Sequence, residues 1–222
     1  SPMYGNAETV AGDLLRDLGL GKRAFIATKV WTSGRQSGID QMEASMRLLH
    51  RGHIDLMQVH NLVDTETHLA TLRGWKEKGI VRHIGITHWT RNSVDTLAEI
   101  VAREKLDFVQ LPYSLGMRAA ESRLLPLCAD KGVAVIVNRP FVRGSMFREA
   151  RGRSIPLWAK GELGISSWAQ YFLKYLLGHP AVTCVIPGTG KPRHMADNIQ
   201  AGMGRLPTAR QHKKMLVDWQ RI

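Results

Sequence analysis

The sequence predicts a parallel α/β fold. Three observations lead there: six apolar runs of strand length recur along the 222 residues, each is followed by a helix or a helix-length segment, and no segment suggests a hairpin. An apolar content of 44% is enough to bury one sizeable core, so a single domain spanning residues 1–222 is expected.

The elements follow in order. Ala7 to Leu18 places Val10, Leu14, Leu15 and Leu18 on one helical stripe, closed by Gly19 and Gly21. Ala24 to Val30 is an apolar run of the kind found in a parallel strand covered on both faces. Ile39, Met42, Met46 and Leu49 then recur at helical spacing. The alternation repeats as strand Ile54 to His60, helix Thr67 to Lys78, strand Val81 to Thr87 and helix Ser93 to Glu104. It continues with strand Phe108 to Leu111, helix Glu121 to Lys131 and strand Val133 to Val137. A looser stretch rich in Arg and Gly, roughly 142–164, precedes helix Ser167 to Leu177 and strand Val182 to Ile186. Pro192 opens a helix to about Ala201, and a last helix fills about Thr208 to Arg221.

Six strands suit a doubly wound open sheet, or a barrel short of the eight strands it needs. The Gly-x-Gly-x-x-Gly phosphate signature of the open sheet does not follow the first strand. Periodicity alone leaves the two architectures level.

Composition narrows the partners. No run approaches the ~18 uninterrupted apolar residues of a membrane span. The net charge of +12 favours any anion, but the densest basic patch, Arg143 to Arg153, lacks the interleaved aromatics of a single-strand binder, so no nucleic-acid partner is expected. The two cysteines, Cys128 and Cys184, read as buried thiols and offer neither a disulfide framework nor a Cys-rich metal site. That usage fits a reducing compartment such as the cytoplasm. Ser1 to Gly5 has no leader pattern, and the missing initiator methionine leaves an upstream export leader open.

Functional groups gather where parallel strands end. Here the strands finish at Lys29, His60, Thr87-His88, Gln110, Asn138-Arg139 and Pro187-Gly188-Thr189. Each alone has an ordinary reading: a lysine reaching solvent, a satisfied half-buried imidazole, a loop-capping amide. Nearly every strand delivering a polar group to one rim is hard to attribute to chance.

Several segments are specific together: Ser-Pro-Met-Tyr-Gly-Asn-Ala-Glu, Ala-Thr-Lys-Val-Trp, Asp-Leu-Met-Gln-Val-His-Asn, Gly-Ile-Thr-His-Trp and Val-Ile-Pro-Gly-Thr. In order and spacing they resemble the aldo-keto reductase family, from Tyr4 to about Ala201. The resemblance implies a (β/α)8 TIM barrel of which about six of the eight strands are present, the family's third through eighth, with no metal. It implies NADP(H) as cofactor and a small-molecule carbonyl as substrate. Of the family's catalytic aspartate, tyrosine, lysine and histidine, three carry over as Tyr4, Lys29 and His60, while the aspartate falls just upstream of Ser1.

By the same resemblance Thr87, His88 and Gln110 hold the nicotinamide amide, with histidine where the family usually has asparagine. Asn138 stands where many members have a stacking tyrosine. Arg139, Gly188, Thr189, Lys191, Arg193 and Asn198 complete the cofactor-binding set, with a helix N-terminus and two cations suited to a phosphate. Trp31 and Trp89 are candidate walls of the substrate pocket.

The implied activity is reduction of an aldehyde or ketone to an alcohol. A tyrosine hydroxyl with an ordinary pKa of ~10 is a poor donor at neutral pH, and a neighbouring ammonium eases proton loss. Lys29 would supply that charge, and His60 would donate to the carbonyl oxygen. The alternative is a weak or inactive relative that binds NADPH in a regulatory role, given the missing aspartate and altered nicotinamide contacts. Edges left open at Ala24 to Val30 and Val182 to Ile186 would favour self-association.

Overall fold

The computed structural model describes residues 1–21 and 23–222. Strands and helices alternate as expected. A 3-10 turn, Pro2–Tyr4, leads into α1 (Ala7–Asp17), β1 (Ala27–Val30), α2 (Arg35–Leu48), β2 (Ile54–His60), α3 (Thr65–Glu77) and β3 (Val81–Thr87). Then come α4 (Val94–Arg103), β4 (Phe108–Pro112), α5 (Leu124–Lys131) and β5 (Ala134–Asn138). The chain ends with α6 (Ser145–Glu149), α7 (Leu157–Leu163), α8 (Trp168–Leu177), β6 (Val182–Val185), α9 (Pro192–Gln200) and α10 (Ala209–Gln220).

The six strands form one sheet in chain order, β1 to β6. A doubly wound sheet reverses its strand order part-way, so sequential order answers the question periodicity left level, in favour of the barrel progression. The pairings β1–β2, β2–β3 and β5–β6 are parallel.

Residue contacts divide the chain into two units, Ser1–His88 with Glu104–Val109, and Trp89–Arg103 with Gln110–Ile222. The first packs Val30, Met42, Ile54, Leu56, Val59, Leu72 and Ile86, all fully buried. Each such side chain contributes about 1.5–3 kcal/mol over remaining exposed. The second unit buries Leu97, Leu111, Leu124, Val135, Val137 and Leu176. It adds an aromatic cluster in which Phe172 lies 5.6 Å from Phe147, 5.5 Å from Trp168 and 5.1 Å from Trp219.

Four local features depart from the sequence reading. The first strand starts at Ala27 rather than Ala24, because the Ile26 N–H donates to the Asp55 carboxylate at 2.8 Å instead of joining a ladder. The loose stretch 142–164 carries two short helices, α6 and α7, and the buried Ile155, Ala159 and Leu163 show the four-residue spacing that the surrounding Arg and Gly obscure. Cys184 is exposed, not buried, since β6 leaves its middle residues in solvent; Cys128 is buried as expected.

The fourth departure is α1. Its apolar stripe of Val10, Leu14 and Leu18 is exposed, while Glu8 and Gly12 are its buried residues. Gly12 sits so close to the Leu48 carbonyl that a Cβ would collide with it. Close helix approach and a buried carboxylate, rather than the leucine stripe, fix α1 on α2.

Candidate active site

The site residues of the first unit follow from strand register. Lys29 lies opposite Gln58, and His60 opposite Thr87. Alternate residues on a strand share a face, and partners across parallel strands share it too. Lys29, Gln58, His60 and Thr87 therefore occupy one face near the strands' carboxyl ends. Tyr4 arrives on the 3-10 turn, and Gly5, at φ 56°, turns the chain into α1.

The three proposed catalytic residues come together. The Tyr4 ring meets His60 edge-on at 5.9 Å, and the Lys29 ammonium lies 6.0 Å from the centre of the Tyr4 ring. Trp31 adds a wall, its ring 6.4 Å from His60. Tyr4 is 55% exposed and His60 only 4%, so the phenol is open to a substrate while the imidazole is held.

Electrostatics follow from burial. His60 is pushed down to about 4, first by burial and then by the positive charge of Lys29. At neutral pH its ring is therefore uncharged and carries one N–H. The Ser1 hydroxyl stands 3.2 Å from Nδ1. If Nδ1 accepts that bond, Nε2 is the donor. Burial also lowers the Lys29 ammonium, and the negative charge of Glu8 opposes that fall. Burial lowers His88 as well.

Two buried residues here escaped sequence reasoning. Glu8 accepts from the hydroxyls of Thr28 and Ser45, the latter at 3.0 Å. Gln58 lies two residues before His60, and its Oε1 has no hydrogen-bond partner among the described residues. Counting back by two from His60 would have found Gln58. Nothing in the helical pattern singled out Glu8.

The second unit holds a cavity of about 640 Å³ after the ends of β5 and β6. Arg139, Gly188, Thr189 and Asn198 line it, as do Phe141, Arg143, Trp168, His194 and Asp197. Gln110 and Asn138 are buried at strand ends and do not line it. Lys191 and Arg193 stand exposed at the start of α9, also outside the lining. His194, which the sequence reading passed over, lines the wall from the first turn of α9.

The segment after Asn138 is strained: Arg139, Val142 and Arg143 all adopt positive φ, at 53°, 47° and 55°. For a β-branched valine this is costly, about 1–3 kcal/mol, and such strain collects at binding sites. It aims two guanidinium groups at Trp89, that of Arg139 at 3.9 Å from the ring centre and that of Arg143 at 5.7 Å. Asp197 is held by Ser167 Oγ and Gln170 Nε2, both at 2.6 Å. The cavity thus combines apolar rings, two guanidinium groups, an imidazole and the first turn of α9, a donor set that fits a phosphate-bearing aromatic ligand such as a nicotinamide dinucleotide.

The model of the Aldo/keto reductase family matches residues 1–214. The chain belongs to the aldo/keto reductase family. Membership makes it part of an oxidoreductase family. Methylglyoxal reductase YeaE of Escherichia coli is 27% identical over 87% of this chain and 69% of its own length. An NADH-specific methylglyoxal reductase of the same organism is 28% identical over 64% of this chain, which spans 50% of that relative. Among solved structures, aldo-keto reductase AKR11C1 from Bacillus halodurans aligns with a TM-score of 0.74 at 23% identity, covering 96% of this chain and 76% of that one. An aldo/keto reductase from Klebsiella pneumoniae, solved with NADP and acetate, aligns at 0.77 and 22% identity over 96% of this chain and 75% of its own. These likenesses place this aldo/keto reductase among the (β/α)8 barrels, with six strands of that barrel in the chain.

Proposed function

We propose that this protein reduces aldehydes or ketones to alcohols, with NADPH as hydride donor and Tyr4 as general acid, and that residues 1–222 act as a single barrel domain. The observation that carries the reading is the grouping of Tyr4 with His60 and Lys29, at ring distances of 5.9 and 6.0 Å. A nicotinamide, when bound, supplies the hydride. The chain's own residues would do the rest. Neutral His60 donates from Nε2 to the carbonyl oxygen and fixes its direction. Tyr4 gives its hydroxyl proton to the oxygen as negative charge builds there, and the Lys29 ammonium stabilises the charge left on the phenol oxygen.

Thr87, His88, Gln110 and Asn138 are the residues we assign to the nicotinamide end. Arg139, Arg143, Gly188, Thr189, Lys191, Arg193, His194 and Asn198 are assigned to the phosphates and adenine end. The cations at the cavity favour the 2′-phosphate of NADPH over NADH. The NADH-specific relative makes that preference worth measuring. Methylglyoxal reductases among the relatives suggest small, reactive oxoaldehydes as substrates.

The test is loss of nicotinamide absorbance when the protein is given NADPH, or NADH, with a panel of aldehydes that includes methylglyoxal. Turnover with NADPH in preference to NADH is expected. No turnover with any member, despite cofactor binding, would overturn the reductase reading.

A further inference from the structure

The loop that carries Trp31, residues 31–34 between β1 and α2, is held from outside itself. Backbone N–H and C=O groups need partners, and in this loop four of them bond to side chains. The Trp31 N–H donates to Gln41 Oε1 on α2, and Gln41 Nε2 donates back to the Trp31 carbonyl at 3.2 Å. His68 on α3 stands with Nε2 2.6 Å from the Thr32 carbonyl. A carbonyl only accepts, so Nε2 carries a proton and donates it. The Gly34 N–H donates to the Asp64 carboxylate at 2.7 Å.

Two of these three side chains lie on the segment that leaves His60. The strand β2 ends at His60, and Asn61, Leu62 and Asp64 follow at φ 54°, 58° and 47°. A left-handed leucine costs about 1–3 kcal/mol and persists only where the surroundings hold it. Asp64 and His68 bind this segment to the Trp31 loop. His68 is fully buried and crosses α2 at Gly38, where a Cβ would lie 2.4 Å from its ring. Trp31 itself is 41% exposed, so burial alone does not fix the indole; the backbone bonds of its loop do. They set the 6.4 Å between the Trp31 and His60 rings.

We propose that Gln41, Asp64 and His68 are positioning residues that tie the loop after β1 to the segment after β2, and that this tie restricts the site to unhindered carbonyls. The inference deepens the reductase reading and rests on it for the substrate, while the tie itself can be read without turnover. A carbonyl that bonds His60 passes beside the indole, and a branched group next to the reacting carbon meets a wall that does not move aside.

The experiment uses the full chain labelled with 5-fluorotryptophan. Its six tryptophans give six fluorine resonances, and Trp31→Phe identifies the one from Trp31. His68→Leu removes the donor to Thr32, and Gln41→Leu removes both bonds to Trp31. Each should shift or broaden the Trp31 resonance and leave the other five in place. Each should also lower the kcat/KM ratio of methylglyoxal to trimethylacetaldehyde, whose carbonyl has a fully branched neighbour, by about tenfold. His68→Gln can donate to Thr32 again and should restore both readouts, which a packing role of the imidazole would not allow. Gln36→Leu breaks an exposed bond to Asp40 on the same helix and should change neither. An unmoved Trp31 resonance in folded His68→Leu and Gln41→Leu overturns the tie. A moved resonance with an unchanged ratio overturns its role in selection. Should His68→Leu fail to fold, Gln41→Leu, at a half-buried position, decides both points. If the wild type turns over neither aldehyde, the reductase reading fails and the Trp31 resonance alone decides the tie.

Discussion

The Tyr4 corner of the first unit and the cavity of the second are both built at the ends of parallel strands, yet by opposite means. The corner fixes its groups through the sheet: Lys29, half-buried, and His60, buried, sit on one sheet face in set register, with Glu8 held by Thr28 and Ser45 beside them. The cavity draws Arg139 and Arg143 from a strained loop and His194 from a helix. Register gives angstrom-level placement, which proton transfer needs. Loop guanidinium groups give charge that tolerates small displacements, which is enough to hold a phosphate. The first region should therefore govern rate and the second affinity.

Four substitutions or conditions would break or sharpen that division. The largest effect is expected from Tyr4→Phe, which should lower kcat by about 100- to 10,000-fold through loss of the acid. NADPH affinity from fluorescence titration should be unchanged, and a matching loss of affinity would blur the two regions. Next, Arg143→Ala should weaken NADPH binding about tenfold, or ~1.4 kcal/mol, with kcat at saturating cofactor largely kept. Added salt should shrink that difference; a variant that binds normally but turns over slowly would move Arg143 to the chemistry.

The third effect is on stability in acid. His60 holds its proton only below about 4 when folded, against 6.5 when unfolded, so the unfolded chain binds more protons between these values. Its contribution is fully present above pH 6.5 and is lost as pH falls towards 4. Thermal unfolding should show the melting temperature declining through that window, and a smaller decline in His60→Gln. A decline identical in both proteins would assign the acid sensitivity to other groups, such as His179 and His212, which burial also lowers. The smallest effect is expected from Leu14→Gln on the exposed stripe of α1, within about 0.5 kcal/mol by denaturant unfolding. A loss of several times that would mean the stripe is covered in solution.

How much of this was legible in the sequence depended on period. Strand-length apolar runs ending in a polar residue gave the alternation and brought Lys29, His60 and Thr87 forward as candidates, because period two and strand ends are written locally. Helical periodicity misled at α1, where the leucine stripe faces outward and Gly12 and Glu8 make the contact. A close backbone approach and a buried carboxylate depend on what arrives from α2 and β1, and no window of α1 contains that information. In the cavity, the sequence pointed to the Gly188–Asn198 segment by its cations. It could not tell that His194 lines the wall while Lys191 and Arg193 do not, since successive helical residues point about 100° apart and the orientation of α9 decides which faces the cavity. The strained path from Arg139 to Arg143 was equally hidden, as positive φ at Val142 runs against its local preference.

The most direct test of the central claim is the fate of the hydride. With NADPH deuterated at the transferable position of the nicotinamide and methylglyoxal as substrate, the product alcohol from the wild-type protein should carry deuterium on its carbinol carbon. Tyr4→Phe should form that product at a small fraction of the rate. Alcohol formed without deuterium, or no alcohol from the wild type, would contradict the account.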